Sequence, residues 1–336
     1  MILYFDDTVA GGIAGSVAAD GSPDADAATA ANPACGAAAA ATAVKSACGA
    51  ATAVEPACGA AAAADAACLR ILFIGDVCGN IGTEAAKVWL PKLRAEHCVD
   101  VCVANAENAS PKGVGCNRNA AEILFACGVD VITLGNHAWS ERDAAKLLDD
   151  ERRIVRPANY PPENPGVGSV AIQTAKGRVG VVNIMGQLFM DSIDCPFHAL
   201  DRELAKLGAL GGTADGRLAA ILVDMHAEAT SEKVALAYHA DGRVSCVIGT
   251  HTHVQTADER VLAGGVAFIS DAGMTGPADG IIGTDRAASM RRFLTRMPTQ
   301  FLPAKGRRQL NAVVIDIDLC TGKATAIKRI NLVEGT

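Results

Sequence analysis

The sequence predicts an α/β domain with an antiparallel end, preceded by a low-complexity extension. Three patterns carry that prediction. Short apolar runs such as "ILFIG", "VCVA" and "CVIG" read as strands buried on both faces. Capped, helix-like stretches alternate with them. Near the C-terminus, "AVVIDIDLCTGKATAIKRI" instead alternates apolar and polar residues around Thr321-Gly322, as a hairpin does.

Along the chain, residues 1–68 stand apart from 69–336. The stretch "AATAVKSACGAATAVEPACGAA" holds nearly the same ten residues twice. Alanine favours helix, but the Gly and Pro of each repeat interrupt it, and alanine offers little surface to bury. The extension is expected to be disordered and without catalytic role, or to precede a native start near Leu69, whose codon can initiate translation in bacteria. A metal-binding or redox array of its cysteines is the competing reading. Beyond it, strands are expected over 70–75, 99–104, 129–134, 179–185, 219–224, 244–249 and 266–270. Asn117 opens a helix that Gly128 ends, Ser140 with Asp143 opens a second, and Thr230 or Ser231 a third.

Charge and cysteine usage narrow the function classes. Residues 1–68 carry seven carboxylates against Lys45 alone, leaving the rest of the chain only −1 of the net −7. A near-neutral body has no basic face for stable binding of long nucleic acid. The start lacks a basic leader and no apolar run is long enough for a membrane, so a cytoplasmic protein is expected. The 12 cysteines form no CxxC pair. Cys102, Cys127 and Cys246 sit inside apolar runs, where a thiol packs as a small hydrophobe in a reducing setting.

The chemistry gathers at strand ends. Asp76 ends "ILFIGD", Glu107 and Asn108 follow "VCVANA", Asn136 and His137 follow "VITLG", His226 follows "AAILVDM", and His251 and His253 follow "CVIGT". In α/β sheets the carboxyl ends of strands are where sites assemble. Singly, each residue has a plain structural reading: Asp76 as a cap, Asn136 as a turn residue, His226 as part of a capped helix. Five strand ends bearing such groups together point instead to a metal centre. Mixed N/O donors suit Mn, Fe or Zn, and their number exceeds what one tetrahedral ion needs. His97, His198 and His239 lie on or beside helical stretches without partner donors and read as surface or satisfied histidines. Gly75, Gly79 and Gly82 of "GDVCGNIG" fit neither the dinucleotide nor the P-loop spacing.

This order of motifs resembles the calcineurin-like metallophosphoesterase superfamily. "AENA", "RPANYP", "DMHAEATSEK", "GTHTHVQTADERV" and "DAGMTGP" resemble its narrower YmdB-like bacterial phosphodiesterases. The likeness spans residues 69–336. It implies a sandwich of two mixed β-sheets flanked by helices around two divalent metal ions, iron or manganese. It further implies Asp76, Glu107, Asn108 and His253 on one ion, and Glu107, Asn136, His226 and His251 on the other, with Glu107 bridging. His137 matches the family's proton donor. The implied activity is hydrolysis of 2',3'-cyclic nucleotides to 3'-nucleotides by a hydroxide between the ions. The implied partner is a small cyclic nucleotide or a short RNA end, with a homo-oligomer left open. Cys78 stands where most of the superfamily has histidine, Ala106 replaces the expected glycine, and Gln187 an expected arginine. The same metals would also serve a phosphomonoesterase, a 3',5'-cyclic nucleotide phosphodiesterase, or a regulatory scaffold without catalysis.

Overall fold

Period-two alternation sorts the apolar side chains into layers. A computed structural model describes residues 67–209 and 218–335. The expectations for the extension fall, apart from Ala67 and Cys68, outside the described residues. In chain order the strands are β1 (Cys68–Ile74), β2 (Val101–Asn105), β3 (Val131–Thr133), β4 (Ile154–Val155), β5 (Ser169–Thr174), β6 (Gly177–Met185), β7 (Ala220–His226), β8 (Cys246–Thr250), β9 (Arg260–Val261), β10 (Ala267–Ile269), β11 (Gly276–Pro277), β12 (Arg308–Asp318) and β13 (Ala324–Val333). The helices are α1 (Gly79–Glu96), α2 (Arg118–Ala126), α3 (Ala144–Asp150), α4 (Pro196–Ala209), α5 (Thr230–Ala240) and α6 (Arg286–Thr295).

One sheet runs β11-β12-β1-β2-β3-β4 with β13 on β12, and the other runs β5-β6-β7-β8-β10-β9. Both are mixed. β1 through β4 are parallel, while β12 pairs antiparallel with β1 and β13. In the second sheet β6, β7, β8 and β10 are parallel, with antiparallel β5 and β9 at the edges. Leu69, Ile71 and Phe73 of β1 face Val181, Leu222 and Ile248 between the sheets. Leu72 and Ile74, one residue out of phase, pack outward under Leu90, Leu93 and Leu124 of the helices. Val182, Val223 and Phe268 do the same beneath Leu200 and Leu236. The result is a four-layer calcineurin-like sandwich, and burial of strands on both faces explains their continuous apolar runs.

All seven expected strands are present, each within two residues of the expected limits at either end. The C-terminal hairpin is β12–β13. Asn117 caps α2, its side chain accepting from Ala120 N at 2.9 Å. Asp143 and Ala229 precede α3 and α5 without side-chain caps, so Thr230 is the first helical residue and not the cap. Helix α1 was hidden by its own composition, since Gly79, Gly82 and Pro91 read as breakers. Gly79 takes a left-handed φ of 59°, while Gly82 and Gly75 allow close backbone approach. A Cβ on Gly82 would lie 2.5 Å from the Thr275 carbonyl oxygen, and one on Gly75 would run into the Gly273 carbonyl. No helix among the described residues is long and apolar enough to cross a membrane.

Gly75→Ala is therefore expected to destabilise the fold by about 1–3 kcal/mol through overpacking against backbone that has nowhere to move. A urea midpoint equal to that of the wild type would contradict this.

Candidate metal centre

The parallel strands of both sheets aim their carboxyl ends at one edge. From the first sheet come Asp76 after β1, Glu107 and Asn108 after β2, and Asn136 and His137 after β3. From the second come His226 at the end of β7, then His251 and His253 after β8. All eight sequence-predicted residues lie along this edge, and hydrogen-bond-length contacts link them across the two sheets. Asp76, Glu107, Asn108, His226, His251 and His253 are buried, while Asn136 and His137 are half-buried.

Hydrogen bonding dictates what these side chains offer. Thr250 donates its one hydroxyl proton to Asp224 at 2.6 Å, so its oxygen must accept from His226 Nδ1 at 2.9 Å. Asp224 is held in turn by Thr133 and Asn105. His226 Nε2 is the nitrogen turned toward the centre. His251 places Nε2 3.2 Å from Glu228 Oε2, which accepts its proton and leaves Nδ1 bare. That Nδ1 lies 3.1 Å from His226 Nε2. Asn136 Oδ1 stands 3.0 Å and Glu107 Oε2 3.2 Å from the same His226 nitrogen. Burial would lower His226, but Glu107 overcomes it and raises that imidazole's pKa, so positive charge is favoured where these four atoms meet. The nitrogen and oxygen chemistry of Glu107, His226 and His251 fits a first-row divalent metal in that place.

A second group adjoins the first through Glu107. Its Oε1 accepts from Asn108 Nδ2 at 3.1 Å, whereas Oε2 serves the first group. His253 Nδ1 donates to the Ile282 carbonyl at 2.9 Å, and its Nε2 lies 3.3 Å from Asn108 Nδ2 and 3.8 Å from Asp76 Oδ1. Asp76 Oδ2 accepts from the His251 backbone N–H at 3.2 Å. Asp76 Oδ1 and Asn108 Oδ1 are buried with no hydrogen-bond partner. A buried, unpaired carboxylate oxygen is costly unless something positive meets it. The residues present fit a metal here too. Gly135 keeps the first group open, because a Cβ there would collide with His226 and with Glu107 Oε2.

Electrostatics sharpen the picture. Burial pushes Asp76 up to about 7 against the pull of His253 and His226. Burial would raise Glu107 as well, but the His226, His137 and His251 imidazoles overcome it and hold that carboxyl well below the usual range. Burial, reinforced by His226, lowers His251 to about 2, which keeps its ring neutral and its lone pair available. Burial also lowers His137, with Glu107 opposing. The His137 backbone N–H donates to Glu107 Oε2 at 3.2 Å.

The two histidines of "GTHTH" occupy strained backbone, with φ of 97° at His251 and 66° at His253. Non-glycine residues in this region cost energy and persist only where surroundings enforce them. The enforcement comes from Asp271, which accepts from Thr252 N at 3.0 Å and Thr252 Oγ1 at 2.7 Å. Asp271 is paired with buried Lys233 of α5 at 2.9 Å.

Sequence reasoning missed these supports. Asp224 was the legible one, because it lies two residues before His226 and so shares its side of β7. Thr250, Lys233 and Asp271 carried no comparable signal. Cys78 lies with Sγ 4.0 Å from His253 Nδ1, beside the centre. Gln187 turns away, its side chain donating to the Ile193 carbonyl. His239 is a satisfied histidine away from the centre, its Nε2 2.9 Å from Asp201 Oδ1, an acid that also binds Arg243.

Comparison with known proteins shows the family. The family model described as "YmdB-like protein" matches residues 72–330. A 2',3'-cyclic-nucleotide 2'-phosphodiesterase of Bacillus subtilis (strain 168) is 44% identical over 262 residues, covering 78% of this chain and 96% of the relative. The crystal structure of a hypothetical protein from Thermus thermophilus superposes with a TM-score of 0.72 at 40% identity, covering 79% of this chain and 100% of that one. That of a novel phosphatase of Mycoplasma pneumoniae gives 0.72 at 32% identity, covering 79% and 94%.

Lys233→Met would leave Asp271 buried without its counter-charge. The expected loss is about 3–5 kcal/mol of stability, read from denaturant unfolding. An unchanged midpoint would remove this pair from the account of the strained turn.

Proposed function

This chain belongs to the YmdB-like family, and on that premise we propose that it is a phosphodiesterase that opens 2',3'-cyclic nucleotides to 3'-nucleotides on two divalent ions. The observation that carries the proposal is Glu107, whose two carboxylate oxygens serve separate groups of side chains. Asp76, Glu107, Asn108 and His253 would hold one ion, and Glu107, Asn136, His226 and His251 the other. Iron or manganese suits this mixture of imidazole, carboxamide and carboxylate. When bound, such ions supply Lewis acidity toward phosphoryl oxygens and an ionised water near neutral pH. The name carried by the Bacillus subtilis relative supports the substrate class. A reducing, cytoplasmic setting goes with the proposal, as the described cysteines are free thiols.

The protein's own groups complete the reaction. Neutral carboxamide and imidazole donors dilute the negative charge of Asp76 and Glu107, so a phosphodiester can approach the centre. As water oxygen bonds to phosphorus, the bond to the ribose 2' oxygen breaks and the phosphate stays on the 3' oxygen. The departing 2' oxygen needs a proton, and His137 is the group to give it. Burial lowers its pKa, while the Glu107 carboxylate opposes that shift and favours the protonated ring. Glu107, bonded to the His137 backbone, ties the position of that acid to the centre.

His137→Ala is expected to retain its metal by elemental analysis while kcat falls by about 10²–10⁴. Full activity in that variant would remove His137 from the mechanism. Glu107→Gln is expected to lower metal content per chain, and two ions still bound would refute the shared role. On metal-quantified enzyme, 2',3'-cAMP should be turned over in preference to 3',5'-cAMP and a phosphomonoester. Preference for either of the latter would reassign the substrate, and no turnover of any would favour a non-catalytic scaffold.

A further inference from the structure

We propose that Phe189 is the surface on which the nucleobase of the substrate stacks, an inference that rests on the cyclic-nucleotide function proposed above. Phe189 is 83% exposed, the most exposed of the large apolar side chains among the described residues. Its backbone is left-handed, with φ of 63°. An exposed ring on a flexible loop would ordinarily fold back to escape water. This one is kept from doing so.

The restraint is Glu232 of α5, itself buried. Its carboxylate accepts from Gln187 N at 3.0 and 3.1 Å and from Leu188 N at 3.3 Å, fixing the backbone just ahead of the ring. Met190 N donates to the Gln187 carbonyl at 3.2 Å, closing a tight turn around Phe189. Asn159 clamps both ends of the loop, donating to the carbonyls of Met185 at 2.7 Å and Asp194 at 3.0 Å. A buried carboxylate used to hold an aromatic ring in water implies that the ring has a partner there.

The loop's position identifies the partner. It leaves β6 beside His226, and Gly186 N donates to the His226 carbonyl at 2.9 Å. Gly186 is needed for that approach, since a Cβ would lie 2.6 Å from that of Ala227. The loop therefore borders the centre at His226. With the phosphate at the metal centre, the base extends from the sugar toward this border. Every base has a π face, so a lone ring accepts all four while favouring purines by their larger overlap.

The test compares 2',3'-cAMP with methyl riboside 2',3'-cyclic phosphate, which lacks a base, on manganese-loaded full-length enzyme. The variants are Phe189→Leu, which keeps apolar bulk, and Phe189→Trp, which keeps a ring. Exposure of the position makes both compatible with folding. Phe189→Leu is expected to raise KM for 2',3'-cAMP by about 10-fold or more, with the effect on KM rather than kcat. It should also erase the preference for the base-bearing substrate, which Phe189→Trp should keep. An unchanged ratio of kcat/KM between the two substrates in Phe189→Leu would overturn the inference. So would a wild-type enzyme that turns both over equally well. A wild type that turns over neither would overturn the cyclic-nucleotide function, and the stacking role with it.

Discussion

The centre depends on one buried ion pair, Lys233 with Asp271. Asp271 grips Thr252 by backbone and hydroxyl, and so determines how the chain turns as it leaves β8. In an extended strand, residues two apart would point the same way. The left-handed conformations on either side of Thr252 rotate the two rings apart. His251 then meets His226, while His253 comes to Asp76 and Asn108. The pair sits deep in the second sheet, with Lys233 on α5 and Asp271 just after β10, so the geometry of the turn rests on packing of the whole layer.

Around that turn, each imidazole is held at one nitrogen so that the other faces the centre. Thr250 and Asp224 hold His226, Glu228 holds His251, and the Ile282 carbonyl holds His253. Such supports select the tautomer and the ring orientation before a metal arrives. The resulting concentration of acceptors is unfavourable on its own terms, with buried oxygens left unpaired. Sites of this kind sacrifice stability for binding, and the surrounding sandwich, packed on both faces of both sheets, supplies the rigidity that keeps them from collapsing.

Much of this was legible in the residues alone. The apolar runs located the strands to within two residues because doubly buried strands tolerate little else. The strand-end residues Asp76, Glu107, Asn136 and His226 were legible because polar groups ending an apolar run have few structural uses in common. Helix α1 was not, since Gly79, Gly82 and Pro91 imitate a loop, and Gly82 serves contact with a distant segment. Nor was the loop at Phe189, whose significance lies in a carboxylate on another element.

By itself, then, the sequence determined the α/β alternation, the strand ends that carry donors, and the family to which those motifs belong. These are local properties, written in periodicity and in short contiguous motifs. Tertiary structure alone decided which donors share a neighbour, which nitrogen of each histidine faces the centre, and which exposed ring is held in place. Those depend on contacts between residues as far apart as Asp76 and His251, or Gln187 and Glu232, and periodicity carries no information about partners at that separation.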